Sequence, residues 1–138
     1  MSLLTRNGRM SFTELAKQAG LSVSAVHQRV RRLEQDGVIT GYVAVFDPDK
    51  VGLPLTAFVS IKPFDAAAPD DLPQRLEHLL AIEACYSVAG DENYILKLRV
   101  ATPAALEDLL HQIRTIGGVS TRTTVVLSTP YENRPPDL

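Results

Sequence analysis

The chain has 138 residues, and its hydrophobic content of 45% and charged content of 22% are typical of a globular protein of one ordinary domain or two small ones. No apolar run approaches the roughly 20 residues that a membrane-spanning helix requires, and residues 1–10 lack the apolar core of a signal peptide. The one cysteine, Cys85, has no partner for an internal disulfide. Together these features predict a cytoplasmic protein.

The formal net charge of −2 is unevenly distributed along the chain. Residues 1–46 contain six Lys and Arg against three Asp and Glu, a net charge of +3, whereas residues 47–138 contain eight against thirteen, a net charge of −5. A basic first third followed by an acidic remainder indicates that only the first part meets a polyanion such as DNA.

Two short helices separated by a tight turn are predicted in the basic part. The apolar stripe expected on the first helix consists of Phe12, Leu15, Ala16 and Ala19. Gly20 ends this helix, because glycine accepts the left-handed conformation found at helix C-termini. Leu21 is expected to fill the corner between the helices, and Ser22 to cap the second helix with its hydroxyl.

The second predicted helix turns an apolar stripe to the core and a polar, basic face outward. Its stripe is Val26, Val30 and Leu33, at i, i+4 and i+7. Gly37 ends it, and residues 38–46 alternate weakly, which predicts a strand. This order of helix, turn, basic helix and strand is that of a winged helix-turn-helix.

The outward face carries the chemistry that reads duplex DNA. Arg31 and Arg32 are suited to neutralise phosphates, and Gln28 or an arginine to contact base edges in the major groove. Ser22 and Ser24 lie at the positive end of the helix, where a hydroxyl can donate to a phosphate. An ordinary solvated helix is the alternative, but turn, cap, glycine stop and strand agree on DNA binding. The predicted DNA-binding residues are Ser22, Ser24, Ala25, His27, Gln28, Arg29, Arg31 and Arg32.

After a linker rich in proline and charge at residues 47–54, strand and helix patterns alternate. Strands are predicted at residues 55–62, 84–89, 94–100 and 119–128, and helices from residues 69 and 102. Two of these strands alternate, with apolar faces formed by Leu55, Ala57, Val59 and Ile61 and by Tyr94, Leu96, Leu98 and Val100. The stripes expected to be buried on these two helices are Leu72, Leu76, Leu79 and Leu80, then Leu106, Leu109, Leu110 and Ile113. The order βαββαβ predicts a ferredoxin-like sheet with two helices on one face, and hence an α+β fold overall.

The predicted division places the DNA-binding domain at residues 1–46, the linker at 47–54, the second domain at 55–130 and a loose tail at 131–138. The helices leave one face of the sheet open. The side chains expected on that face are Phe58, Tyr86, Val88, Ile95, Thr124 and Val126. Because an apolar sheet face of this kind is usually covered, we expect a homodimer through this domain.

Several motifs resemble the Lrp/AsnC, or feast/famine, family of bacterial and archaeal regulators. In the first half they are Asn7-Gly8-Arg9-Met10-Ser11, Glu14-Leu15-Ala16, Gly20-Leu21-Ser22, Arg29-Val30-Arg31-Arg32-Leu33-Glu34 and Gly37-Val38-Ile39. In the second half the loop Ala89-Gly90-Asp91-Glu92-Asn93-Tyr94 resembles the family's effector loop. The resemblance implies a transcription regulator that forms dimers and then octamers or larger assemblies, and that binds an amino acid where dimers meet.

The effector contacts that the resemblance implies are Tyr86, Gly90, Asp91, Asn93 and Tyr94. Backbone N–H groups at a glycine turn can hold a carboxylate, and Asp91 can pair with an ammonium group. An ordinary hairpin turn is the alternative for this loop. The sequence also departs from the family: Asn93 stands where a second acid is usual, and only residues 3–6 remain of the usual first helix. The short helix predicts faster amide exchange in residues 1–46 than in 55–127.

The sequence contains little that indicates an enzymatic function. His27, His78 and His111 are not spaced as metal ligands, and no phosphate-binding loop or nucleophile motif is present. We therefore predict no cofactor. Sirohaem decarboxylases are similar in architecture, but the histidine-rich segments and tryptophan that mark them are lacking here. An architectural DNA-compacting protein without an effector remains an alternative, since it shares every feature except a working ligand pocket.

Overall fold

The computed structural model describes residues 1–138, which divide into two compact units. The first unit comprises Met1–Val45 together with Pro130–Leu138, and the second comprises Phe46–Thr129. No helix in either unit is both long and apolar enough to cross a membrane.

The first unit contains three helices, whose ends follow the local chemistry of the sequence. They are α1 (Ser2–Arg6), α2 (Phe12–Ala19) and α3 (Val23–Gln35). The Ser22 hydroxyl accepts a hydrogen bond from the Ala25 N–H, which confirms the predicted cap of α3. Gly20 ends α2 in the left-handed conformation at φ 66°, so the turn between α2 and α3 is short and defined.

A small apolar core joins these helices. Leu15 and Ala16 of α2 are buried against Val26 and Val30 of α3. The half-buried side chains that pack around this core are Leu3, Leu4, Met10 and Leu21. Leu21 therefore fills the corner as predicted. The predicted stripe on α2 was too wide, because Phe12 and Ala19 lie at the ends of the helix, beyond the reach of α3's buried residues, and are exposed.

The strand predicted at residues 38–46 is wrong for the single chain. The N–H groups of Val38 and Ile39 both donate to the Leu33 carbonyl and close the end of α3. Beyond them no neighbouring strand is present to take up the backbone groups, so the segment is irregular. Its side chains stay exposed, Val43 to 90% and Val45 to 75%.

The second unit is a four-stranded antiparallel sheet with two helices. Its elements are β1 (Leu55–Pro63), α4 (Leu72–Leu76), β2 (Ile82–Ser87), β3 (Tyr94–Val100), α5 (Pro103–Gly117) and β4 (Val119–Val125). The strand order β2-β3-β1-β4 is that of the predicted ferredoxin-like fold, so β2 and β4 form the two edges.

One face of this sheet and the helices enclose the larger core. The alternation in β1 and β3 is confirmed, because the odd-numbered residues from Ala57 to Ile61 and the even-numbered residues of β3 are buried. The largest fully buried side chains are Val59, Ile61, Leu96, Leu98, Ile113 and Val119. The Thr102 hydroxyl caps α5, and Gly118 ends it in the left-handed conformation.

Several details of this unit differ from the sequence predictions. Helix α4 is only five residues long, and the chain turns after it through a bond from the Leu79 N–H to the Leu76 carbonyl. Leu79 is therefore buried, but Leu80 is 89% exposed and does not belong to the predicted stripe. Leu110 of α5 is only partly buried. Strand β2 lies about two residues earlier than predicted and contains an irregularity between Ile82 and Ala84, and β4 ends three residues early.

The open face of the sheet is mixed in character, which corrects the expectation of an apolar face. Phe58 and Tyr86 are partly exposed there, at 37% and 52%. Beside them Glu83 forms ion pairs with both Lys97 and Arg99, and the Arg99 side chain is only 9% exposed. Strand alternation places charged and aromatic residues together on this face. A surface that covers it must therefore match it in charge as well as in shape.

Candidate DNA-binding and effector sites

The exposed surface of α3 divides the predicted DNA-binding residues into three groups. A helix turns once every 3.6 residues, so Ser24, Gln28, Arg31 and Arg32 lie on the side of α3 that faces away from the buried Val26 and Val30. These four side chains are exposed. They are therefore the best placed to enter a groove.

The remaining predicted side chains lie on the two flanks of α3. Ala25 and Arg29 share one flank, where Ala25 is half-buried. The exposed Arg32 lies next to this flank, and its guanidinium pairs with Asp36 at 3.5 Å. Arg29 and Arg32 also border an apolar groove of the first unit, lined by side chains that include Leu3, Leu15 and Leu21. His27 lies on the opposite flank, which faces α2.

His27 contacts Phe12 of α2 edge to face. The ring centroids are 5.0 Å apart and the rings are inclined at 76°. This contact accounts for the exposed Phe12, whose ring supports a side chain of α3 instead of entering the core. Sequence periodicity had assigned Phe12 to the core stripe, because helical spacing alone cannot show that a first-turn residue reaches across to a neighbouring helix.

At the start of α3 the hydroxyls of Ser22 and Ser24 lie 3.3 Å apart. The Ser22 hydroxyl accepts from the Ala25 N–H as the cap, and it shares a hydrogen bond with the Ser24 hydroxyl in which either group can be the donor. The N-terminal end of a 13-residue helix carries partial positive charge. The structure therefore brings a hydroxyl, the helix end and the cationic Arg31 onto one exposed surface, which suits contact with a phosphate backbone.

In the second unit the loop between β2 and β3 is anchored to the sheet. The Asn93 N–H donates to the Ile61 carbonyl at 2.9 Å, and the Asn93 carbonyl accepts from Val88. Gly90 adopts a φ of 157°, in the region that favours glycine. The backbone of Asn93 thus fixes the loop against β1.

The predicted effector residues do not all come together. Asp91 lines a cleft beside the loop, and Gly90 and Asn93 shape that loop. The Tyr94 side chain is 7% exposed and belongs to the core on the helix side of the sheet, and burial, followed by the charge of Asp70, raises its pKa. Tyr86 lies on the open face at the opposite edge strand, β2.

The cleft has a volume of about 290 Å³ and is formed by β1, β4 and the loop. Its lining residues are Ser60, Lys62, Asp91, Glu92, Ser120, Thr121 and Arg122. Of these lining residues, only Asp91 was predicted from the sequence. The missing signal was the pairing of β1 with β4, which sets Ser60 opposite Arg122 and Lys62 opposite Ser120 on the open face.

The charges of the cleft balance. Glu92 and Arg122 form an ion pair with each other. Lys62 and Asp91 make no ion pair in the single chain. Two hydroxyl-bearing residues of β4, Ser120 and Thr121, complete a polar lining suited to a small ligand that carries both a positive and a negative group.

Each of the two units matches the model of a known protein family. Residues 1–40 match the model of the winged helix-turn-helix DNA-binding family, and residues 56–136 match that of the Lrp/AsnC ligand binding domain. A basic, exposed helix in the first unit and a ligand-binding domain in the second define a DNA-binding transcriptional regulator.

Individual relatives narrow this class. The chain is 56% identical over 131 residues to the HTH-type transcriptional regulator LrpA of Mycobacterium tuberculosis, covering 95% of this chain and 87% of the relative. It is 40% identical over 129 residues to the leucine-responsive regulatory protein of Escherichia coli, covering 90% and 78%. The chain belongs to the Lrp/AsnC family of transcriptional regulators.

Solved structures of similar proteins have the same fold as this chain. The feast or famine regulatory protein of M. tuberculosis, described as complexed with L-methionine, superposes with a TM-score of 0.95 at 54% identity, covering 98% of this chain and 92% of that one. AsnC of E. coli superposes with a TM-score of 0.81 at 31% identity, covering 95% and 89%.

Proposed function

We propose that this regulator binds specific DNA sequences through α3 and that a small effector, an amino acid, changes its assembly or its affinity for DNA. The observation that carries the DNA-binding part is the outermost surface of α3, where Ser24, Gln28 and Arg31 are exposed beside a serine-capped helix start. The regulator acts in the cytoplasm, where its DNA is.

DNA recognition follows from the arrangement of that surface. Arg31 and the start of α3 contact phosphates, which supply most of the affinity and make it dependent on salt. Gln28 contacts base edges and supplies sequence preference, since a side-chain amide can form paired hydrogen bonds with adenine. In a dimer, two copies of α3 enter successive major grooves about one helical turn apart.

The proposed assembly is a homodimer that associates further into an octamer or larger form. Support comes from the partly exposed Phe58 and Tyr86 on the open sheet face, and from the exposed Val43 and Val45 in a segment without a strand partner. Both surfaces lose unfavourable contact with water when a second copy covers them. Sedimentation over a range of protein concentrations tests this, and monomer alone at every concentration would contradict it.

The proposed effector site is the cleft beside the loop at residues 89–93. Its balanced charges suit an amino acid, and the M. tuberculosis relative of 54% identity is described with L-methionine bound. In this scheme the effector binds one assembly more tightly than another, and so shifts the population toward the assembly it prefers.

A thermal-shift screen with the twenty L-amino acids, followed by sedimentation with each amino acid that binds, tests the effector. A ligand that both stabilises the fold and changes the assembly supports a sensing regulator. No stabilisation by any of the twenty would instead favour the alternative of an architectural DNA-binding protein without an effector.

A further inference from the structure

The segment that follows α3 is fixed where it begins. The N–H groups of Val38 and Ile39 both donate to the Leu33 carbonyl, which closes the helix. Thr40 and Gly41 follow, and a Cβ added at Gly41 would meet nothing within 4 Å. Because glycine is the least restricted residue of a chain, the segment would pivot at this point unless a later residue held it.

Tyr42 supplies that hold through both parts of its side chain. Its hydroxyl donates a hydrogen bond of 3.0 Å to the carboxylate of Glu34, in the last turn of α3. Its ring lies against Gly8, where an added Cβ would stand 3.3 Å from the Tyr42 Cδ1 atom. Partial burial, followed by the hydrogen bond to Glu34 and the charge of Glu34, raises the pKa of the Tyr42 phenol above 10.0. Tyr42 thus joins the end of α3 to the turn that precedes α2.

The turn that Tyr42 contacts is itself closed, and the chain beyond Tyr42 is open. Two hydrogen bonds close the turn at residues 7–10, with the carbonyl and the side chain of Asn7 as acceptors. Beyond Tyr42 the side chains of Val43 and Val45 are 90% and 75% exposed, and the first unit ends at Val45. Tyr42 therefore holds the chain shortly before it leaves the first unit.

We propose that Tyr42 is a positioning residue, whose contacts with Gly8 and Glu34 fix the direction in which the chain leaves α3 and so set the spacing of the two DNA half-sites that a dimer accepts. This inference rests on the proposed dimer with paired α3 helices and deepens it. Two modules that are joined stiffly bind together only where the separation of their sites matches the join, whereas a loose join tolerates several separations. Tyr42 acts here through the orientation of α3 and makes no contact with DNA.

Binding of the full-length protein to duplexes of different half-site spacing tests this role. The first duplex is selected from a random library by the wild-type protein, and the second carries about five additional base pairs, half a helical turn, between the half-sites. The wild-type protein binds the first at least about tenfold more tightly. In Tyr42→Leu this ratio falls to about threefold or less, because each α3 still enters a groove but the pair is no longer held at one spacing.

Two further variants isolate the hydrogen bond. Tyr42→Phe keeps the ring and loses the bond, so the ratio falls part of the way. Glu34→Gln keeps an acceptor oxygen and retains most of the ratio. The matched control is Tyr131→Phe, because Tyr131 is another exposed tyrosine of the first unit and its ring contacts the Arg134 guanidinium. This control keeps the wild-type ratio.

Gly8→Ala tests the ring contact from the other side. Gly8 does not adopt a positive φ, so the added Cβ is opposed mainly by the Tyr42 ring. The substitution lowers the ratio in the wild-type background and has no further effect in Tyr42→Leu. A duplex with a single half-site, measured in parallel, binds every variant as tightly as it binds the wild-type protein, which verifies that α3 is intact.

The outcomes separate this inference from the proposed function. If Tyr42→Leu weakens binding to all duplexes by the same factor, Tyr42 only stabilises the first unit, and its positioning role is overturned. If Tyr42→Leu and Gly8→Ala leave every affinity unchanged, that role is overturned as well, while paired binding by α3 stands. If the wild-type protein binds the two spacings equally, paired binding by α3 fails and the inference fails with it.

Discussion

The imidazole of His27 on α3 lies edge-on against the ring of Phe12 on α2, with the ring centroids 5.0 Å apart. Phe12 is 39% exposed, so the contact lies at the surface and beside the outermost residues of α3. Aromatic rings favour this edge-to-face arrangement by about 0.5–1.5 kcal/mol. In this regulator, a residue of α2 therefore orients a side chain of the helix that we propose reads DNA.

We expect Phe12→Leu to alter DNA sequence preference at the positions near His27, while the free energy of unfolding falls by less than about 1 kcal/mol because the ring is only partly buried. A duplex selected from a random library is titrated with Phe12→Leu, with His27→Ala and with the double variant. The three binding free energies, compared with that of the wild-type protein, give the coupling between Phe12 and His27 in DNA binding. The expected coupling is about 0.5–1.5 kcal/mol. Strictly additive effects of the two substitutions on binding would show that Phe12 does not orient His27.

Arg31→Ala should weaken binding to all duplex sequences and reduce the slope of log affinity against log salt by about one, as the loss of one phosphate contact does. Lys50→Ala is the control, since Lys50 is an exposed cation outside the predicted DNA-binding residues. It should change the slope less. Fluorescence anisotropy at several salt concentrations gives both values, and equal slopes for Arg31→Ala and the wild-type protein would remove Arg31 from the interface.

Gln28→Ala should change which sequences are preferred and leave the salt dependence as it is, because an uncharged side chain releases no counterions. Selection from a random duplex library, carried out in parallel with the variant and the wild-type protein, measures the change in sequence preference. An unchanged selected sequence would show that Gln28 does not contact bases.

Glu83 should contribute to the stability of the second unit in a manner that depends on pH. Burial of its carboxyl would raise the pKa, but the hydrogen bond from Arg99 and the charges of Arg99 and Lys97 outweigh this and lower the pKa below 4.5. Because the pKa is lower in the folded state, the stabilisation is complete above pH 4.5 and is lost as the pH falls through the lowered value.

Glu83→Gln should therefore reduce the free energy of unfolding at pH 7 by about 1–2 kcal/mol, since it takes the carboxylate away from a largely buried guanidinium. The difference between variant and wild type should shrink as the pH is lowered below 4.5. Urea unfolding at pH 7 and at acid pH checks both statements, and a difference that stays constant with pH would contradict the assigned ionisation.

The two units should differ in local stability. Four buried apolar residues form the core of the first unit, whereas fourteen form that of the second. Because the cost of local opening follows the buried apolar contacts, backbone amides in residues 1–46 should exchange faster than those in residues 55–127. Hydrogen exchange followed by mass spectrometry measures this directly, and equal protection in the two ranges would show that the small first core is not the weaker one.

Features set by local chemistry were predictable from the sequence. The Ser22 cap, the left-handed Gly20 and the alternation of β3 each depend on a few neighbouring residues, and each is confirmed. The segment at residues 38–46 was predicted wrongly because a strand exists only where a partner supplies hydrogen bonds, and propensity cannot provide that partner. Leu80 was predicted wrongly because α4 stops after five residues and the helical period no longer applies.

The cleft residues were missed for a different reason. Lys62, Glu92 and Arg122 are far apart along the chain, and only the pairing of β1 with both β3 and β4 brings them together. The resemblance to the family pointed to Tyr86 and to the loop, and from these the sequence could identify Asp91 of the cleft but not the strands opposite it. Long-range register, which the linear pattern does not contain, determines the rest of the lining.

We propose that one chain couples DNA binding to the binding of an amino acid. The most direct test titrates a selected duplex with the full-length protein, with and without the amino acid that gives the largest thermal shift, and follows both anisotropy and sedimentation. We expect salt-dependent binding to DNA, and a change in affinity or in the size of the complex when the amino acid is added. DNA affinity and complex size that are the same with and without every one of the twenty amino acids would contradict it.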